Sequence, residues 1–486
     1  MCRLENLIMK KTILFFAFLT TVTLGFAQDG YQIKVTLNPF TKGYLYLGHH
    51  FGSKQYIIDS AAINAAGEVV FSGKEKLHGG VYMVIFPAKN GWFEMLIDKE
   101  QHFEVSADTS DIIGKTKFTN SPDNVLFQEY QKMAQQKGKA VYALQNRLKE
   151  KPGKADSAKI KAEISTLNEE MTQYREQFIM AHPNNLLAAI FRVLQEPKVP
   201  EASKHPGGKY DSTFAYQYYK QHYWDGVSFT DERLVRTPVF EPKLQRYYNN
   251  VLIQQPDTLI KAADKMLDAS EPNKEMFKFL LSTLTEKYIN PAYMGQDAVF
   301  VNLFERYYAP GKADYWLNDK YRKIVFDRAY SLMANLIGEK AADMNMVDTL
   351  GKPKTLYSIN APYIVICFWD ATCGHCQQEV PKLDSLFQNK WKAQGVQIYG
   401  VMTDGGKEAW LNFIHKHGLK GWNHVYQRPE VRDAEYAAGK PGYKQLFDVY
   451  QTPILYLLDK NKNIIAKKLN YEQLDDLLQM KMKIKK

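Results

Sequence analysis

Tyr363-Ile364-Val365-Ile366-Cys367-Phe368-Trp369 runs through Asp370-Ala371-Thr372 straight into Cys373-Gly374-His375-Cys376. Seven apolar residues without a polar break predict a strand buried on both faces, as in a parallel sheet. Residues 377–387 then carry a helical pattern, so the paired cysteines fall where a strand passes into a helix. At that junction the first sulfur meets the free N–H groups and dipole of the helix N-terminus, which favour a thiolate. The second sulfur lies about one turn inward, close enough to attack a mixed disulfide. His375, between them, adds positive charge when protonated and lowers the first thiol further. A stabilised thiolate favours the reduced pair, so this couple is expected to be more oxidising than a Cys-Gly-Pro-Cys equivalent.

The rest of the cysteine inventory supports redox chemistry over a scaffold. Of four cysteines, Cys2 precedes an apolar leader and the others are Cys367, Cys373 and Cys376. A secreted domain stapled by disulfides spreads its cysteines along the chain. Zinc is the competing reading, but a structural zinc site takes four ligands and the chain has no second CxxC or CxxH pair. His415 and His417, two apart on a helix, diverge, and His49-His50 lies in another module. No metal or organic cofactor is expected.

From about Gly338 to its end the chain resembles the thioredoxin superfamily, specifically the exported TlpA/ResA-like branch of thiol–disulfide oxidoreductases. The resemblance is carried by Phe368-Trp369-Asp370-Ala371-Thr372-Cys373-Gly374-His375-Cys376-Gln377-Gln378-Glu379-Val380-Pro381, and by Phe447-Asp448-Val449-Tyr450-Gln451-Thr452-Pro453-Ile454. It implies Cys373 as the attacking nucleophile, Cys376 as the resolving thiol, and Gly374 and His375 as tuners of their disulfide. Glu379, followed by Pro381, matches a glutamate beneath that disulfide, and its i, i+3 spacing puts it on the Cys376 face of the helix. Two readings of Glu379 stand: a semi-buried proton-transfer group, or an exposed first-turn glutamate favoured by the dipole. The resemblance also implies a cis bond at Thr452-Pro453 and substrate contacts at Thr452, Pro453 and Trp369. Protein disulfides would be the substrates and a membrane-side dithiol the electron donor. The sequence departs from the family at Thr372, where a tryptophan is usual, and at Cys367, where thioredoxins proper bury an aspartate. It also has extra residues around 427–442, read as a surface insertion.

The remaining chain divides by texture. Lys10 and Lys11, an apolar run over 13–24 and small residues before Gln28 predict a signal peptide over 1–27, cleaved after Ala27. The run is too short for a transmembrane span, which needs about 20 residues. An exported, periplasmic protein with no integral membrane segment after cleavage follows. Residues 28–120 alternate polar and apolar between glycine turns, predicting an all-β meander or small sandwich. With Ile58-Asp59-Ser60-Ala61 and Gly67-Glu68-Val69-Val70-Phe71, that stretch resembles a small β domain of unknown function found ahead of exported thioredoxin-like domains. Residues 121–337 show amphipathic helical spacing broken by prolines, without a constant repeat. Residues 338–486 alternate strand and helix, the α/β pattern of a thioredoxin-like fold. The net charge of +10 is dispersed among acids, and no nucleic-acid-binding motif accompanies it. Alternatives to a disulfide reductase are an oxidase or isomerase built on the same pair, and an envelope-assembly protein using the thioredoxin fold as an adaptor.

Overall fold

The computed structural model describes residues 30–484. The expected signal peptide over 1–27 lies outside the described residues. Contacts divide the chain into two compact units, Met1–Tyr248 and Asn249–Lys486. The helices expected over 121–337 are therefore shared between the two.

In the first unit, eight strands form two four-stranded sheets. They are β1 (Tyr31–Asn38), β2 (Tyr44–Phe51), β3 (Lys54–Ala62), β4 (Glu68–Gly73), β5 (Gly80–Ile85), β6 (Trp92–Ile97), β7 (His102–Asp108) and β8 (Lys117–Thr119). One sheet has the order β4-β1-β7-β8 and the other β3-β2-β5-β6. β1 pairs in parallel with β7, with Gln32 opposite His102, so the module is a sandwich and not a meander. Alternation builds its core: Ile33, Val35 and Leu37 of β1 share one cluster with Leu45, Val84, Met95 and Phe103. Two long helices, Pro122–Lys149 and Lys154–Ala181, reverse at Lys151, which adopts φ 53°. Buried Asn124 ties the first of them to β6, accepting from the Leu96 N–H at 2.7 Å and donating to its carbonyl at 2.8 Å. The sequence reading did not anticipate the helix Leu186–Leu194, which is apolar nearly all round and so lacks the one-sided pattern that marks a surface helix.

The second unit opens with helices Pro256–Ser270, Lys274–Tyr288, Asp297–Leu303 and Asp319–Met333. Of the dense tyrosines, Tyr307 and Tyr308 here, and Tyr223 and Tyr248 in the first unit, are fully buried, so they pack cores. A six-stranded sheet follows, in the order β14-β13-β10-β11-β12-β9. Its strands are β9 (Val347–Asp348), β10 (Tyr363–Trp369), β11 (Gln397–Met402), β12 (Asn423–Tyr426), β13 (Ile454–Asp459) and β14 (Ile464–Lys467). β10 is central, parallel to β11 and antiparallel to β13. Every residue of β10 is buried because helices cover both faces. Its odd-numbered residues Val365, Cys367 and Trp369 meet the helices Gly374–Leu386, Lys407–His417 and Tyr471–Ile484. Its even-numbered residues Ile364, Ile366 and Phe368 meet Leu356, Tyr443 and Phe447 on the other side. The extra residues after 427 form a helix, Pro429–Ala437, with no buried residue, as a surface insertion should. Among the described residues no helix is long and apolar enough to cross a membrane.

Candidate active site

β10 ends at Trp369, and a turn organised by Asp370 carries the chain into the next helix. One carboxylate oxygen of Asp370 accepts both the Thr372 N–H at 2.7 Å and the Thr372 hydroxyl at 2.8 Å. The Asp370 carbonyl accepts the Cys373 N–H at 3.3 Å. Gly405, in the loop after β11, packs against this turn with φ +87°. A Cβ there would lie 2.3 Å from the same Asp370 oxygen, so only glycine fits. Sequence reasoning passed over Asp370. Its signal was a lone acid between a buried strand and the cysteine pair.

Cys373 is the N-cap of the helix Gly374–Leu386 and is half-buried, whereas Cys376, one turn inward, is sealed from solvent. Both are free thiols, as is Cys367. The Cys376 N–H holds the Cys373 thiol below its ordinary value. Burial opposes that shift, while Thr452, the Cys376 side chain and the His375 N–H add to it. Burial pushes the Cys376 thiol up to about 11, against a contact from the Asp370 N–H at 3.4 Å. The two sulfurs thus differ, one poised to ionise at the surface and the other held protonated beneath it. His375 is exposed and acts on Cys373 through its backbone N–H. Gly374 is also exposed.

Thr452-Pro453 is a cis peptide bond. The Cys373 thiol donates to the Thr452 carbonyl at 3.4 Å, joining segments 79 positions apart. The register of β10 with β13 arranges this meeting, because Phe368 pairs with Ile454, the residue after Pro453.

Behind the pair, a pocket of about 210 Å³ opens between the active-site helix and the start of β13. Cys367, Glu379, Val380, Pro453, Leu469 and Tyr471 are among its lining residues. Glu379 therefore shares a cavity with the proline and the third thiol, and it is semi-buried. Its side chain keeps 35% exposure and its carboxylate rests on Lys382 at 3.0 Å. Cys367 is fully buried on the strand beneath, and burial, with Cys376 adding, pushes its thiol well above the ordinary value.

Trp369 departs from expectation. It was expected to touch substrate, but it is fully buried on the odd-numbered face of β10, its ring centroid 5.2 Å from that of Phe413. A side chain inside the core cannot contact a docked polypeptide, so Trp369 supports the floor of the site. Among the described residues no group of three His, Cys, Asp or Glu side chains could hold a metal ion.

Residues 337–467 match the AhpC/TSA family. The chain is also similar to relatives named thiol-disulfide oxidoreductase ResA. That of Bacillus thuringiensis (strain Al Hakam) is 31% identical over 84 residues, 17% of this chain and 48% of the relative. That of a Bacillus cereus strain is 25% identical over 146 residues, 29% of this chain and 77% of the relative. The C-terminal domain is thioredoxin-like in fold and is similar to these relatives over part of its length. Upstream of this domain, residues 31–127 match the domain of unknown function DUF4369 and residues 149–333 match DUF5106. A solved domain of a possible thiol-disulfide isomerase from Cytophaga hutchinsonii is 40% identical, covering 31% of this chain and 96% of that one, with a TM-score of 0.27. The chain spans about half the length (48%) of the first curated relatives it matches.

Proposed function

We propose that this chain is an exported thiol–disulfide oxidoreductase that reduces protein disulfides through Cys373 and Cys376. Its three parts would be a β module over 28–120, a helical module over 121–337 and the redox domain over 338–486. The observation that carries the reading is the split of the pair: a half-exposed Cys373 thiol beside the Thr452 carbonyl, above a sealed Cys376. The Cys373 thiolate attacks a substrate disulfide, forming a mixed disulfide and releasing one substrate thiolate. Cys376 then loses its proton and attacks the Cys373 sulfur. This releases the second substrate thiolate and leaves a Cys373–Cys376 disulfide. Two electrons pass to the substrate, whose two thiolates take up protons, and an external dithiol must restore the pair.

The raised Cys376 thiol supports the reductive direction, because its thiolate is the better nucleophile and the poorer leaving group. A thiol at about 11 stays protonated at neutral pH, so its attack needs a proton acceptor. Glu379, one turn along the same helix face, is that acceptor in this reading. Thr452 and Pro453 receive the substrate main chain. One observation favours the opposite direction: the N–H groups that lower Cys373 stabilise the reduced protein and so make it a better oxidant.

Equilibration of the mature protein with glutathione, with Cys373→Ser as control, decides between them. A potential near about −270 mV marks a reductase, and one well above about −200 mV marks an oxidase or isomerase. No exchange at all would leave the thioredoxin fold as an adaptor for envelope assembly.

A further inference from the structure

We propose that Arg328, on the helix Asp319–Met333, is a positioning residue for the segment Tyr450–Pro453, where a substrate polypeptide meets the cysteines. This rests on the redox reading above and gives the helical residues of the second unit a part in it.

Asp448 lies four residues before Thr452, fully buried and in the left-handed region at φ +50°, which aspartate adopts more readily than most non-glycine residues. Arg328 and Lys468 both ion-pair with its carboxylate. Burial alone would raise that carboxyl, but the two cations outweigh it and hold Asp448 ionised. Arg328 is itself fixed, donating to the Ile289 carbonyl at 3.1 Å.

The same helix grips the chain just before Asp448. Ser331 donates to the Gln445 carbonyl at 2.8 Å, and Asn335, just past the helix, donates to the Leu446 carbonyl at 3.0 Å. On the far side the Arg328 guanidinium lies 6.0 Å from the ring of Tyr450, which is 74% exposed. A large aromatic left in water two residues before the Thr452 carbonyl is placed to meet whatever approaches Cys373. Arg328 therefore bears on both ends of the three-residue stretch Asp448–Tyr450, through Asp448 within the core and Tyr450 at the surface, two residues before Thr452.

Neither contact touches a sulfur. A small disulfide needs only Cys373 and Cys376, whereas a polypeptide must also seat its main chain along residues 450–453. The clamp should therefore govern KM for protein substrates and leave the chemistry of the pair alone. Simple structural support would not discriminate between the two kinds of substrate.

The test uses the mature full-length protein with dithiothreitol as donor, and with insulin and 5,5′-dithiobis(2-nitrobenzoate) as the two disulfides. Arg328→Gln removes the charge but leaves Lys468 to pair with Asp448. It should raise KM for insulin about tenfold while kcat, turnover of the aromatic disulfide and the glutathione equilibrium stay at wild-type values. Arg328→Lys should recover part of the loss. Ser331→Ala, a milder change at the same grip, should move KM for insulin the same way by about twofold. Equal losses with both disulfides, or unchanged insulin kinetics in both Arg328→Gln and Ser331→Ala, would refute the positioning role while leaving the redox function standing. A wild-type protein inert towards both disulfides would instead bring down the redox function itself.

Discussion

A short pulse of iodoacetamide on the reduced, folded protein at pH 7 should mark Cys373 and spare Cys376. A thiol at about 11 is ionised to about one part in 10⁴ at that pH. One at the ordinary value of 9.0 is ionised to about one part in 10², and Cys373 lies below that value. The thiolate populations thus differ by at least about 100-fold. The more basic thiolate is intrinsically the better nucleophile, which returns about tenfold to Cys376 across a two-unit gap. At least about tenfold remains in favour of Cys373, before the burial of Cys376 closes it to the reagent. Peptide mass spectrometry after pulses at several pH values reads this directly, with the protein unfolded in denaturant as the control in which Cys367, Cys373 and Cys376 label alike. Comparable labelling of both cysteines in the folded state, or a Cys373 rate profile with its midpoint at or above pH 9, would show that the helix N–H groups do not ionise the outer sulfur.

Two further outcomes follow from the packing around the site. Burial lowers His424 from 6.5 to about 4, with Nε2 held by the Leu419 carbonyl at 2.8 Å. Between those values the unfolded chain binds the proton and the folded one does not, so stability falls as pH drops from 6.5 to 4, by about 3 kcal/mol in all. Urea unfolding of His424→Gln should show a shallower loss than wild type across that window, and parallel curves would refute the assignment. Gly405→Ala should cost about 2 kcal/mol, because its Cβ meets the Asp370 carboxylate at a positive φ. The same change should narrow the labelling difference between Cys373 and Cys376, and a wild-type melting temperature would count against the close approach.

Much of the redox domain was legible because its decisive signals are short and continuous. An unbroken apolar strand, a cysteine pair at its exit and a proline before the next apolar run do not depend on distant residues for their reading. β10 and the helix that follows it lie where the sequence put them, and the cis bond at Thr452-Pro453 is the one the family resemblance implied. Trp369 was misplaced because an aromatic beside an active-site motif looks alike whether it faces the substrate or the core. Only the odd-numbered alternation of β10 against Phe413 decides its side. The clamp on Asp448 could not be read at all, since it is made of Arg328, Ser331 and Asn335, more than a hundred positions away. The helix Leu186–Leu194 and the parallel pairing of β1 with β7 were hidden for related reasons. The first lacks a polar face, and the second joins strands whose partnership no local pattern encodes.

The antiparallel register that sets Phe368 against Ile454 also fixes where the domain can change in length. Between the cysteine pair and Thr452 the chain already accommodates a surface helix, Pro429–Ala437, that buries nothing, so residues inserted or deleted there leave both strand ends where they are. A single residue added within β13 would carry the Thr452 carbonyl about 3.4 Å along the strand and turn every following side chain to the opposite face. One added between Asp370 and Thr372 would break the turn that presents Cys373. Loop grafts and affinity tags therefore belong at 427–442, and deletion scanning should find the domain permissive there and intolerant in two short windows on either side.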